Sequence, residues 1–307
     1  MKEIKKVAIV GLGALGMLYG THIIRHRGQD AVSYVMDADR LARYKDAVYT
    51  VNGEVVDLPK VSKEEVGIAD LVMVAVKYTG LSSAYDLIRA CVGPETIVMS
   101  VMNGISSEEL IAEQLPPCHM IYTVPQGMDA MRFGSDLRYT QMGKLHIGVP
   151  EGGDQEALES VKAFFDDIEM PYQPEEDILW RMWFKYMLNV GVNQVCMMCD
   201  TTYAGVTNPG EPHDMLMRAM DEVRLVANAK GIHLTKEDME TCVEIERTLD
   251  PMGTPSMGQD RINKKASEVE MFAGTMIRMG EELGIPTPMN AYIYQRVHEI
   301  ESEYVTE

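Results

Sequence analysis

The sequence predicts an α/β domain built on a parallel sheet and, after it, an all-α domain. Three observations predict this. Apolar runs of strand length alternate with helix-length segments through residue 168. Glycines spaced G-x-G-x-x-G, at Gly11, Gly13 and Gly16, close the first of those runs. Beyond Pro171 and Pro174 the strand signals stop and helical periodicity takes over, which puts the boundary at 172 and gives domains 1–172 and 173–307.

The first run, Val7-Ala8-Ile9-Val10, reads as a buried parallel strand that turns sharply into a helix over 14–27. Gly11 supplies the tight turn, Gly13 lets the backbone approach a pyrophosphate, and Gly16 lets the helix pack on the strand. The helix N-terminus, with its N–H groups and positive end, attracts phosphates. This pattern marks a dinucleotide site, with Gly11, Leu12, Gly13, Ala14, Leu15 and Gly16 as its cofactor-binding residues. A second strand, 31–36, closes the unit and ends in Asp37, 21 residues after Gly16. A carboxylate there accepts hydrogen bonds from a ribose 2′-OH and repels a 2′-phosphate, so Asp37 favours NAD over NADP. Asp37 or Asp39 can equally cap the following helix, and Arg40 or Arg43 can swing toward a phosphate.

A short helix over 39–47 precedes a hairpin, 48–51 with 54–56, turned by Asn52-Gly53. Strands over 71–76, 96–101 and 119–124 then alternate with helices over 81–90 and 106–114, the rhythm of a doubly wound sheet. More strand follows over 140–149, with an irregularity at Gly143, and then a helix over 154–168. The second half reads as helices over 177–200, 213–230, 235–249, 259–283 and 290–303. Gly231 and Gly284 are natural helix stops, and Pro286 and Pro288 prevent the long helix from continuing.

With 46% hydrophobic residues in 307, the chain can bury the cores of two domains. Its net charge of −19 opposes binding to nucleic acid and to anionic membranes. No apolar run approaches the ~20 residues of a membrane span. The start, Met1-Lys2-Glu3-Ile4-Lys5-Lys6, runs directly into a strand, so a cytoplasmic protein is expected. Five cysteines, an odd number, point to free thiols. Cys196-Met-Met-Cys199 has metal or redox spacing, but no second such pair completes a zinc site, and no metal is expected. The 25 methionines read as adaptable core filler.

The first helix of the second domain carries the clearest chemistry. Lys185, Asn189 and Asn193 recur at every fourth position on one stripe of an otherwise apolar segment. A cation and two amides in that row are costly to bury without partners. They can satisfy one another, or they can face a cleft, with Lys185 donating a proton to a substrate carbonyl oxygen while the amides orient the substrate.

Several separated motifs together make the sequence resemble the ketopantoate reductases (2-dehydropantoate 2-reductases) over nearly the whole chain. They are Gly11-Leu-Gly-Ala-Leu-Gly16, Val76-Lys77, Asn103-Gly104, His146-Ile147-Gly148, Trp183-x-Lys185-x3-Asn189-x3-Asn193, and Ser256-Met257-x-Gln259-Asp260 followed by Glu268. The resemblance implies a Rossmann-type N-terminal domain, an all-helical C-terminal domain, and reduction of a 2-oxo acid by hydride from a nicotinamide. It implies Lys185 as general acid and Glu268 as the second catalytic residue and a partner of the cofactor ribose. It also implies Asn189, Asn193 and Ser256 as substrate-binding residues, with Lys77 and Asn103 beside the nicotinamide and substrate. By themselves, Glu268 reads as a solvated helix residue near Lys264 and Lys265, and Ser256 as ordinary loop.

Asp37 departs from the family, whose NADPH-using members commonly carry Arg at the end of the second strand. NADP remains open from the family, and an NAD-dependent D-2-hydroxyacid dehydrogenase acting on branched or aromatic 2-oxo acids is the alternative activity. A non-catalytic dinucleotide sensor is the alternative of another class. Apolar faces in the helical half make a homodimer plausible.

Overall fold

The computed structural model describes residues 3–305 and divides into two compact units, 1–178 and 179–307. In the first unit the apolar run forms β1 (Val7–Val10) and leads through the glycines into α1 (Ala14–Arg27). Then come β2 (Val32–Met36), α2 (Ala38–Tyr44), β3 (Tyr49–Val51), β4 (Glu54–Val56), β5 (Lys60–Ser62), β6 (Leu71–Val74) and α3 (Leu81–Cys91). The unit continues with β7 (Ile97–Ser100), α4 (Ser107–Gln114), β8 (His119–Met128), β9 (Met131–Phe133), β10 (Asp136–Arg138), β11 (Met142–Gly148), α5 (Gln155–Asp167) and β12 (Tyr172–Pro174).

Eight strands pair in the order β12-β11-β8-β7-β6-β1-β2-β5. All neighbours are parallel except β11 and β8, and β1 meets β2 on one side and β6 on the other. β1, β6 and β7 are buried throughout, as continuous apolar runs covered on both faces should be. The chain direction of crossover reverses between β1 and β6, so their carboxyl ends flank a topological switch point.

In the first unit three features depart from the sequence expectations. The hairpin β3-β4 is half of a separate four-stranded sheet, β4-β3-β10-β9, completed by strands too short to carry a periodic signal. The first unit runs past 172, because Tyr172–Pro174 add a parallel strand to β11 although Pro171 precedes it and Pro174 ends it, the strand lying on the open edge of the sheet. β8 extends to Met128 rather than 124, since β11 pairs along its whole length; Gly143 meets that pairing at φ +66 with β8 backbone where a Cβ would lie.

The second unit contains α6 (Ile178–Cys199, which begins at the last residue of the first), α7 (Tyr203–Thr207), α8 (Glu211–Ala229), α9 (Lys236–Arg247), α10 (Ser256–Ile262), α11 (Thr275–Leu283) and α12 (Pro288–Glu301). Gly231 and Gly284 end α8 and α11 at positive φ, as the sequence suggests. The expected continuous helix over 259–283 is broken. Lys264 takes a left-handed conformation, φ +51, while Lys265 N–H bonds back to the Asp260 carbonyl and Lys264 N–H to that of Arg261. This is a Schellman stop built on lysine rather than glycine, which is why composition does not announce it. The chain re-enters helix through a π turn, Glu270–Gly274, just upstream of α11.

Candidate functional site

In the first unit, the sequence-predicted cofactor residues follow the carboxyl ends of adjacent parallel strands. Register places Val10 opposite Val35 and Val74, and Val74 opposite Ser100. The glycine loop after β1, Asp37 after β2, Lys77 after β6 and Asn103 after β7 therefore lie along one edge of the sheet. Lys77 is exposed and Asn103 half-buried, the latter beside Gly104 at φ +96.

The three glycines are not equivalent. A Cβ on Gly11, at φ +118, would lie 2.3 Å from the Ala75 carbonyl oxygen, and one on Gly16 would lie 2.0 Å from that of Gly11. Both are demanded by the protein's own packing. A Cβ on Gly13 would meet the Ala75 carbonyl oxygen at an ordinary 3.6 Å. Packing within the protein therefore does not demand glycine at position 13, and the open side of its backbone suits a phosphate's close approach. Among the described residues no side chain caps the N-terminus of α1, and its first turn carries no acid. Its N–H groups and dipole suit an anion, so the loop fits a nicotinamide dinucleotide.

Asp37 caps α2, its Oδ1 accepting from the Arg40 N–H at 2.7 Å, and its Oδ2 lies 3.4 Å from Arg40 Nε. The capping alternative is realised, and Arg40 turns toward the carboxylate. His146, another motif residue, is structural: its Nδ1 lies 2.5 Å from Glu175 Oε1 and ties β11 to the segment after β12.

In the second unit, α6 presents the stripe. Asn189 and Asn193 are each 6% exposed, so their amides need partners. Asn193 Nδ2 donates to Asn189 Oδ1 at 3.4 Å and to Ser256 Oγ at 3.3 Å. Ser256, the first residue of α10, is exposed, so this chain of long hydrogen bonds leads from the core toward solvent. Mutual satisfaction of the amides is partly realised, and their long contacts leave them able to exchange for better acceptors.

Lys185 stands one turn before Asn189 on the same stripe. Burial pushes its ammonium down from 10.5 to about 8, and the nearby Glu268 carboxylate opposes that shift without cancelling it. A lysine so tuned holds its proton at neutral pH yet gives it up readily.

Glu268 is held there by residues that sequence reading missed. It precedes the π turn, whose Gly274 N–H bonds to the Val269 carbonyl, five residues back. α6 satisfies the polar groups this register disturbs. Tyr186 OH donates to the Phe272 carbonyl at 2.7 Å, and Gln194 Oε1 accepts from Ala273 N–H at 2.9 Å. Glu301 of α12 accepts from Ser267 N–H at 2.6 Å. Gln194, fully buried, also donates to the Val190 carbonyl and to Asn290, which Glu222 holds in turn at the start of α12. Tyr186 and Gln194 lie eight positions apart, one residue round from Lys185 and Asn193, and that polar repeat was the available signal.

Comparison with known proteins covers both units. The family pattern described as Ketopantoate reductase PanE/ApbA matches residues 7–152, and that described as Ketopantoate reductase PanE/ApbA C terminal matches 177–301. The chain is 26% identical to the 2-dehydropantoate 2-reductase of Archaeoglobus fulgidus over 303 residues, covering 98% of this chain and 99% of that one. A D-mandelate dehydrogenase solved with NADH and anilino(oxo)acetate aligns with a TM-score of 0.84 at 22% identity, covering 98% of this chain and all (100%) of the other. A dimeric ketopantoate reductase from Staphylococcus aureus aligns with a TM-score of 0.78 at 20% identity, covering 98% of this chain and 100% of the other. The two solved structures share the fold. With both halves of one family's pattern matched in order along it, the chain belongs to the ketopantoate reductase family of oxidoreductases.

Proposed function

We propose that this protein reduces a 2-oxo acid to the corresponding 2-hydroxy acid, ketopantoate to pantoate being the leading reaction. The observation that carries this reading is Lys185, its ammonium tuned to about 8 beside Glu268, one turn before Asn189 and two before Asn193 on the same helix, with Asn193 bonded to Ser256 of α10. A bound nicotinamide dinucleotide supplies hydride to the keto carbon. Lys185 Nζ stabilises the charge developing on the keto oxygen and then protonates it, while Glu268 keeps the ammonium charged. Asn189, Asn193 and Ser256 offer amide and hydroxyl groups to the carboxylate and hydroxyls of the substrate. Gly11 through Gly16 bind the pyrophosphate, with Asp37, Lys77 and Asn103 along the same sheet edge and Glu268 on the cofactor ribose.

Asp37 supports NAD as the preferred dinucleotide, since a carboxylate at the end of β2 accepts from a ribose 2′-OH and repels a 2′-phosphate. Arg40, already paired with it, lessens the repulsion without removing it. The same residue favours a second reading, an NAD-dependent D-2-hydroxyacid dehydrogenase acting on branched or aromatic 2-oxo acids. We infer a homodimer in the cytoplasm as the working form; the dimeric Staphylococcus aureus relative supports the former, and no helix among the described residues is long and apolar enough to cross a membrane.

The test is oxidation of NADH and of NADPH, in separate assays, with ketopantoate, 2-oxoisocaproate and phenylglyoxylate. NADH oxidation with ketopantoate is the expected result. NADH oxidation with only the bulkier acids establishes the dehydrogenase reading, and turnover with NADPH alone overturns the role given to Asp37. No turnover with any pair overturns the proposal.

A further inference from the structure

The four-stranded sheet stands apart from the parallel sheet, yet one of its side chains reaches the glycine loop. Arg132, in β9, donates from Nη1 to the Leu12 carbonyl. Its Nε donates to the Gly134 carbonyl at 2.7 Å, and its guanidinium carbon lies 6.0 Å from the centre of the Tyr49 ring. Tyr49 is 1% exposed and belongs to the core that also holds Val51 and Leu137 of the small sheet and Met17 and Leu18 of α1. Thr50 Oγ1 donates to Asp136 Oδ1 at 2.6 Å and locks β3 to β10. The small sheet is therefore fixed on α1, and Arg132 is held at three points: a carbonyl of its own turn, an immobile aromatic ring and the loop.

We propose that Arg132 is a positioning residue for the dinucleotide pyrophosphate, acting through the Leu12–Gly13 peptide. A trans peptide is planar, and its C=O and N–H point in opposite directions. Fixing the Leu12 carbonyl toward Arg132 therefore turns the Gly13 N–H the other way, away from Arg132, at the glycine whose missing side chain leaves space. A cation on the carbonyl also polarises the peptide and strengthens that N–H as a donor. Without Arg132 the peptide is free to rotate, and ordering it then counts against binding. The inference rests on the dinucleotide reading of residues 11–16.

The experiment is calorimetric titration of the full chain with ADP-ribose, and with adenosine as a ligand lacking phosphate. Arg132→Gln is expected to bind ADP-ribose about tenfold more weakly, in line with the loss of one charge-assisted hydrogen bond, with adenosine affinity unchanged. Arg132→Lys, which keeps one cationic donor, is expected to recover part of the loss. At saturating dinucleotide, kcat should stay within about twofold of the parent, since the role given to Arg132 is confined to ordering the glycine loop for the dinucleotide. Equal affinity of parent and both variants for ADP-ribose overturns the inference, as does equal weakening toward adenosine. If the parent itself fails to bind ADP-ribose, the dinucleotide reading falls and takes this inference with it.

Discussion

Replacing Glu268 by glutamine should move the alkaline limb of the reduction to lower pH. Lys185 has two opposing influences on its proton: burial, which lowers its pKa and dominates, and the Glu268 carboxylate, which raises it, leaving a value of about 8. A neighbouring opposite charge commonly contributes about one to three units. Removing it therefore takes Lys185 from about 8 to roughly 7 or below. At pH 8 the protonated fraction falls from about a half to about a tenth, so the rate of reduction drops about fivefold there relative to its acid plateau. The readout is kcat/KM for the 2-oxo acid against pH at saturating dinucleotide, because this ratio reports the site before that substrate arrives. The variant's limb should sit at least one unit lower, and oxidation of the hydroxy acid, which needs neutral Lys185, should rise with pH over the same interval. A limb that stays in place, or moves to higher pH, refutes the electrostatic coupling of Glu268 to Lys185.

Three further outcomes follow from the geometry. Gly13→Ala should keep the parent's thermal midpoint within about 2 °C while weakening dinucleotide binding at least tenfold, whereas Gly16→Ala should lose several degrees because its Cβ would overlap the Gly11 carbonyl; calorimetry and titration separate the two. Asn193→Ala should raise KM for the 2-oxo acid by about tenfold and cost about 1–2 kcal/mol by urea unfolding, since it removes the link between buried Asn189 and Ser256. Glu108, buried and accepting from Ser107 Oγ at 2.8 Å, has its carboxyl pushed up to about 7 by burial. Ionising it is harder in the folded chain than in the unfolded one, so the stability tied to its neutral form is complete below pH 4.5 and lost as pH rises to about 7. The parent should lose about 2.5 kcal/mol more than Glu108→Gln between pH 5 and pH 8, and equal losses in urea midpoints would contradict it.

Much of this architecture was readable because period and punctuation coincide. Val7–Val10 into Gly11, Asn52-Gly53 between two short strands, and Gly231 and Gly284 at helix ends each carry a local physical necessity in their residue type. What escaped depended on partners distant in sequence. Tyr172–Pro174 becomes strand only because β11 offers an edge, and β9 and β10 are three residues each, too short for alternation to register. Lys264 ends α10 in a conformation ordinarily left to glycine, and the π turn after it is held by Tyr186 and Gln194 from a helix some eighty residues earlier. The candidate site divides the same way. Lys185, Asn189 and Asn193 announce themselves by helical spacing, but Ser256 and Glu268 have no pattern of their own. Only family resemblance singled them out, and the structure brings Ser256 to Asn193 and the Glu268 charge to Lys185. Arg132, on a strand of three residues, offered no signal.

Hydride transfer to the keto carbon of a 2-oxo acid, with Lys185 supplying the proton, is the chemistry proposed for this protein. It is tested most directly by incubating the protein with reduced nicotinamide dinucleotide deuterated at C4 and a 2-oxo acid, then locating the label by mass spectrometry. The expected product is a 2-hydroxy acid deuterated at C2, formed about 10²–10⁴-fold more slowly by Lys185→Ala although that variant binds ADP-ribose as the parent does. Label that never appears at C2, or appears equally fast without Lys185, contradicts it.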